Sequence, residues 1–263
     1  MATGMVAAAR LGAKCAMIGA VGSDDYGEFC LRDFERHGID ISGMKTRQGE
    51  TTSLSIVLSD RETQGRSIVY RSGTANPPTL EEIEERILTG CQWFFISHAT
   101  HVAMESAKRA KKAGAKIIVD ADSYSSEMME NIGIIDVFIA SEFFYKVLFR
   151  GKEEAFEANC REVQKMGPSI VVFTLGAKGC VGYSEEDGFS DALLCCGCAG
   201  YSGGRRCVPR RIYRRIAARA FSQRSRSACH GSFLHQVYQN RWQSRHSRLE
   251  YGAALFAHRG NRL

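Results

Sequence analysis

Along its first 189 positions the chain sets short apolar runs between polar helical stretches and turn residues. Residues 2–12 read as a helix ending at Gly12, followed by a strand over 13–18. Gly22 permits a tight turn after this strand, and Ser23 or Asp24 can cap the next helix, which runs through Phe34 to Gly38. Residues 51–58 and 67–70 alternate as a β-hairpin around 60–65, a pattern shared by ordinary edge hairpins and specialised ones. Pro77-Pro78 break the chain, and Thr79-Leu80-Glu81-Glu82 predicts the start of a capping-box helix. Residues 93–97, 116–119, 137–141 and 170–173 have the composition of buried strands, with helical patterns over 104–113 and 153–166 between them. Strand–helix alternation with short connections predicts an α/β fold: a mostly parallel sheet with helices on both faces.

Charge shows where that pattern stops. Residues 190–263 hold fourteen Arg, no Lys, and only Asp191 and Glu250 as acids, for a net charge of +12. Residues 1–189 carry −6, so the overall +6 averages two unlike segments and marks a boundary between them. Of the ten cysteines, Cys15, Cys30, Cys91, Cys160 and Cys180 are scattered through the first part, mostly beside apolar runs. With no secretory signal in view they read as reduced, buried thiols, and the cytoplasm is the expected compartment. No apolar stretch approaches the length of a membrane span.

Candidate chemistry gathers at strand ends. Thr174-Leu175-Gly176-Ala177-Lys178-Gly179 follows the last apolar run, and such a turn is either a simple reversal or a ligand-facing loop. Asp120 and Asp122 are delivered to the end of another strand, where acids can line a site. His98 and His101 lack Cys or carboxylate partners at ligand spacing and read as a loop at the end of a strand. Neither a Gly-x-x-x-x-Gly-Lys-Ser/Thr loop nor a Gly-x-Gly-x-x-Gly after a first strand is present, which argues against P-loop and dinucleotide-binding folds.

In order and spacing, Arg10-Leu11-Gly12-Ala13, Gly19-Ala20-Val21-Gly22-Ser23-Asp24-Asp25-Tyr26-Gly27, Val119-Asp120-Ala121-Asp122 and Thr174 to Gly179 resemble the PfkB family of carbohydrate kinases. The resemblance covers roughly residues 1–189. It implies a ribokinase-like sheet, incomplete at both ends, with a small β lid over residues 51–71 that covers the sugar. It also implies transfer of a phosphoryl group from ATP, with Mg²⁺, to a sugar hydroxyl. On resemblance Thr174, Gly176 and Gly179 belong to the nucleotide side, Glu142 to the metal and phosphate region, and Thr3 and the lid to the sugar side. The implied partners are a small sugar and ATP, with no specific nucleic acid and no membrane, and a homodimer through the lid in the intact family member. Nucleoside and vitamin kinases of the same fold are the alternative. In the family the first helix follows a strand and a Gly-Gly turn, so Met1 is expected to be an internal methionine of a longer frame.

After Gly182-Tyr183 the family pattern requires Asp-Thr-x-Gly-Ala-Gly-Asp, whose backbone amides cradle the moving phosphate and whose last Asp takes the hydroxyl proton. Here Gly200-Tyr201-Ser202-Gly203-Gly204-Arg205-Arg206-Cys207 stands instead. Reading the last two bases of each codon with the first of the next permits Asp-Thr-Leu/Val-Gly-Ala-Gly-Asp beneath this stretch. Arg206 then lies over the codon of the missing base. Positions 235–247 likewise permit a segment resembling the family's C-terminal region. The expectation is a frameshift near residues 189–190, an out-of-frame and disordered tail over 190–263, and a chain with no catalytic residue of its own. Two other readings of the tail are a polyanion-binding arm built on its Arg clusters, and a zinc site at Cys195 and Cys198 with Cys207, or with Cys229 and His230. The irregular cysteine spacing argues against zinc.

Overall fold

The computed structural model describes residues 1–59, 66–175, 179–184, 188–191 and 253–258. In chain order the elements are α1 (Ala2–Arg10), β1 (Cys15–Gly22), α2 (Asp25–Arg36), β2 (Asp40–Arg47), β3 (Leu54–Ser59), β4 (Arg66–Arg71) and α3 (Glu85–Thr89). There follow β5 (Cys91–Ile96), α4 (His101–Lys112), β6 (Lys116–Ala121), α5 (Ser126–Glu130), β7 (Val137–Ser141), α6 (Glu142–Leu148), α7 (Phe156–Lys165), β8 (Ile170–Thr174), β9 (Cys180–Ser184), β10 (Gly188–Asp191) and β11 (Ala253–His258).

Among the described residues nine strands form one sheet in the order β10-β9-β8-β7-β6-β5-β11-β1-β2, and β3 and β4 form a separate hairpin. Strands β5 to β8 pair in parallel, as do β1 and β2, while β9 and β10 turn back antiparallel at one edge. The parallel strands are apolar on both faces, as sheets covered by crossover helices require. On one face Phe94, Ile117, Val119, Phe138, Val171 and Phe173 pack against Met104, Ala107, Phe144, Tyr145 and Val163 of α4, α6 and α7. On the other, α1 and α2 cover the β1 end through Met5, Cys30 and Phe34 against Met17, Val21 and Phe95. Trp93, Val137, Ile170, Val172 and Cys180 make a third cluster on this second face, to which no helix among the described residues contributes.

Several expectations need correction. Strand β2 is absent from the sequence reading because Asp40-Ile41-Ser42-Gly43-Met44-Lys45-Thr46-Arg47 alternates weakly and is only partly buried. Thr79 does not start a helix. Glu82 accepts from the Thr79 N–H at 2.9 Å, as a capping box would, but Arg47 grips both its oxygens at 2.6 and 2.7 Å. The helix is confined to Glu85–Thr89. The helix expected from residue 153 begins at Phe156, because Tyr145 and Asn159 hold the preceding loop through hydrogen bonds to the Glu153 and Lys152 carbonyls.

The sequence expectation gave residues 190–263 no place in the fold. Strand β10 nevertheless runs across residue 189, and Ala253–His258 pairs antiparallel with both β1 and β5. An apolar, Arg-free run can sit between two strands whose facing edges would otherwise leave rows of N–H and C=O groups unpaired. The rest of the tail lies outside the described residues.

The hairpin is tied to the main sheet through Asp24, which caps α2 by accepting from the Gly27 N–H at 2.9 Å. The same carboxylate accepts from the Thr52 hydroxyl at 2.6 Å and the Thr52 N–H at 2.9 Å. Burial alone would raise its pKa, but the hydrogen bonds from Thr52 and Gly27 outweigh burial and hold it below the ordinary 3.8.

Two outcomes are expected. Phe173 is fully buried, with its ring 4.9 Å from Tyr145 and 6.1 Å from Phe138, so Phe173→Ala should cost about 3–5 kcal/mol in urea unfolding. A folded-state pKa below the unfolded one stabilises fully above the unfolded value, and that stabilisation is lost as pH falls through the folded value. Asp24→Asn should therefore be less stable than the native chain at pH 7, with the difference shrinking as pH drops below 3.8.

Candidate active site

Because β6, β7 and β8 are parallel, the residues that follow them emerge on one edge of the sheet. Ser141 ends β7 directly opposite Thr174, which ends β8. The Ser141 hydroxyl accepts from the Phe144 N–H at 3.2 Å, capping α6, and donates to the Asp122 carbonyl at 2.5 Å. One short side chain thus joins the ends of β6 and β7 and sets Glu142 on the first turn of α6. Sequence reasoning passed over Ser141, although a Ser at the end of a strand before Glu-Phe-Phe is an N-cap signal.

Glu142 is partly exposed and pairs with Lys146 one helical turn on, at 2.8 Å. Thr174 is buried, and its hydroxyl donates to the Ala140 carbonyl at 3.3 Å. The turn beyond it is closed by the Leu175 N–H donating to the Gly179 carbonyl at 2.8 Å. Gly179 has φ 93, a left-handed conformation that favours glycine. Gly176 lies outside the described residues, as does Arg206. Thr174, Glu142 and Asp122 therefore share one edge, while Thr3 does not join them. It sits in the first turn of α1, on the β1 side, four strand spacings or roughly 19 Å from β7.

The hairpin attaches on that same β1 side, where the Gly22 N–H donates to the Thr52 hydroxyl at 2.9 Å. Between the two groups lies the end of β5. Here Thr100 caps α4 through the Ala103 N–H, and the His98 ring nitrogen Nδ1 lies 2.6 Å from the Ser97 carbonyl. His98 and His101 thus belong to a strand-to-helix connection. No group of three metal-ligating side chains occurs among the described residues.

The described cysteines form no disulfide and are buried. Burial pushes the Cys15 and Cys160 thiols up to about 11 and about 12, which rules out either as a thiolate nucleophile at neutral pH. A cavity of about 520 Å³ lined by Lys14, His37, Asp40 and Arg86 opens where β1 and β5 begin, at the opposite end from Thr174 and Glu142. No described helix is long and apolar enough to cross a membrane.

The edge has two parts: an acid and a glycine turn beside β6 to β8, and a β hairpin beside β1. The 5-dehydro-2-deoxygluconokinase of Clostridium perfringens is 27% identical over 202 residues, covering 69% of this chain and 60% of the relative. The ribokinase of Haemophilus influenzae is 29% identical over 182 residues, covering 66% of this chain and 59% of the relative. The chain thus spans about 60% of the length of the curated relatives it matches. Among solved structures, an E. coli ribokinase II in complex with ATP and Mg²⁺ superposes with a TM-score of 0.62 at 20% identity, covering 73% of this chain and 66% of that one. That likeness shows a ribokinase-like fold. The profile of the pfkB family carbohydrate kinases matches residues 2–192. Residues 2–192, with their parallel sheet, glycine turn and hairpin, make this chain a member of the pfkB carbohydrate kinase family.

Proposed function

We propose that the family domain is built to transfer the γ-phosphate of ATP to a sugar hydroxyl, and that this polypeptide stops short of the chemistry. The observation that carries the reading is the placement of Thr174, the Leu175–Gly179 closure and Glu142 on the edge from which the hairpin also rises. Phosphoryl transfer asks a protein mainly for positioning and charge stabilisation, which such an edge supplies from both sides. ATP belongs beside the 174–179 turn and the sugar beneath the hairpin, near Thr3.

The donor set fits magnesium, a hard cation held through one or two carboxylates together with substrate phosphates. Glu142 is the carboxylate placed to serve it, and the ion would neutralise charge on the phosphates. Glu142 is turned toward Lys146, and that pair would have to open for the carboxylate to hold a metal. On the frameshift reading the chain has no proton acceptor at the family's position. Arg206 would then stand over the codon of the family's Asp, and arginine cannot take a proton at neutral pH.

We further propose that the hairpin's outer face pairs with a second copy in the complete family member. Ile56, Leu58 and Val69 share that face by strand register and are more than half exposed. A two-stranded sheet is marginal alone, and a self-complementary apolar face suits a twofold contact.

Assayed with ATP, Mg²⁺ and a panel of aldoses, ketoses and sugar acids, the purified chain should show no sugar-dependent turnover above buffer. A missing general base costs about 10²–10⁴ in rate, before any loss of the phosphate cradle. Turnover at ordinary kinase rates would sink the reading. The nucleotide sequence under codons 185–210, moved by one base, should spell Asp-Thr-x-Gly-Ala-Gly-Asp, and a stop codon there would overturn the frameshift. In a frame-corrected protein, Ile56→Asp should shift a dimer to monomer by light scattering while Val147→Asp leaves it dimeric.

A further inference from the structure

The acid of the Gly-x-Val-Gly-x-Asp stretch does more than cap a helix. Asp24 lies where three elements meet: the end of β1, the start of α2, and residues 50–53 leading into β3. Thr52 is 2% exposed, and its hydroxyl accepts from the Gly22 N–H while donating to Asp24. The second carboxylate oxygen takes the Thr52 N–H, so both oxygens are used, as are the hydroxyl and N–H of Thr52.

Glycines grip the same segment from two sides. A Cβ on Gly22 would collide with the Glu50 carbonyl and lie 2.7 Å from the Thr51 carbonyl carbon. A Cβ on Gly73 would lie 2.5 Å from the Ser53 nitrogen and 2.7 Å from the Thr52 carbonyl carbon, and one on Gly27 would lie 2.9 Å from the Thr52 hydroxyl oxygen. The returning strand is pinned as well. Thr74 N–H and Ala75 N–H donate to the Thr51 carbonyl at 3.0 and 3.2 Å, and Gly73 N–H donates to the Ser53 hydroxyl at 3.0 Å.

Beyond this grip, where Tyr70 still donates to the Ser53 hydroxyl at 3.3 Å, the hairpin is a two-stranded ladder with Ile56, Leu58 and Val69 more than half exposed. We infer that Asp24 and Thr52 form a fixed pivot: residues 51–53 and 72–75 move with the main sheet, and the hairpin flexes beyond them. Asp24 is a positioning residue that aims the hairpin without touching what lies beneath it. The pivot needs no phosphotransfer by this chain, so it can be tested even if the kinase reading fails.

Amide-resolved hydrogen exchange on the full chain at pH 7 tests it. In the native chain, amides of 51–53 and 73–75 should exchange with the slow class of β1, and those of 54–58 and 67–71 about tenfold or more faster. Asp24→Asn and Thr52→Val should each speed the 51–53 amides about tenfold, the scale of one lost hydrogen bond to a charged group, and leave β6 to β8 unchanged. Thr52→Ser, which keeps the hydroxyl, should retain the native pattern. Equal exchange on both sides of Ser53 in the native chain would overturn the pivot. So would an equal acceleration of β6 to β8 in the variants, which would make Asp24 and Thr52 general stabilisers.

Discussion

Parallel pairing of β5 to β8 is the constraint on which the rest of the structure depends. Strands that run the same way must be joined by crossovers, and each crossover helix needs an apolar face to cover. That requirement explains why Phe94, Ile117, Phe138, Val171 and Phe173 line one face of the sheet and meet α4, α6 and α7. It also sends every strand end to one edge, which places Thr174, Ser141, Glu142 and Asp122 side by side although they are scattered over 53 positions of chain. The site edge is a consequence of direction and burial rather than of local sequence.

The hairpin follows a different rule. It buries little of its own and depends on its attachment. A carboxylate with two hydrogen-bonded oxygens and glycines that allow backbone to touch backbone make that attachment stiff. Its outer portion, with Ile56, Leu58 and Val69 more than half exposed, has little such support.

The third cluster of the sheet, around Trp93, Val137 and Val172, has no described helix over it. Beyond residue 189 the net charge jumps, yet Ala253–His258 of that segment supplies a strand between β1 and β5.

The sequence by itself determined the class of fold, the position of most strands, a cap at Ser23 or Asp24 and the glycine turn after Thr174. These are local matters of periodicity and of which residues tolerate a given φ. It misjudged β2, whose partial burial weakens its pattern, and Thr79, whose capping partner Glu82 is taken up by Arg47 from 35 residues away. Only the tertiary structure could show that Ser141 joins two strand ends, that Thr3 lies apart from Glu142, and that Asp24 holds the hairpin. Each of these depends on which distant residues are brought within hydrogen-bonding distance, and strand order and pairing fix that, not neighbours in sequence.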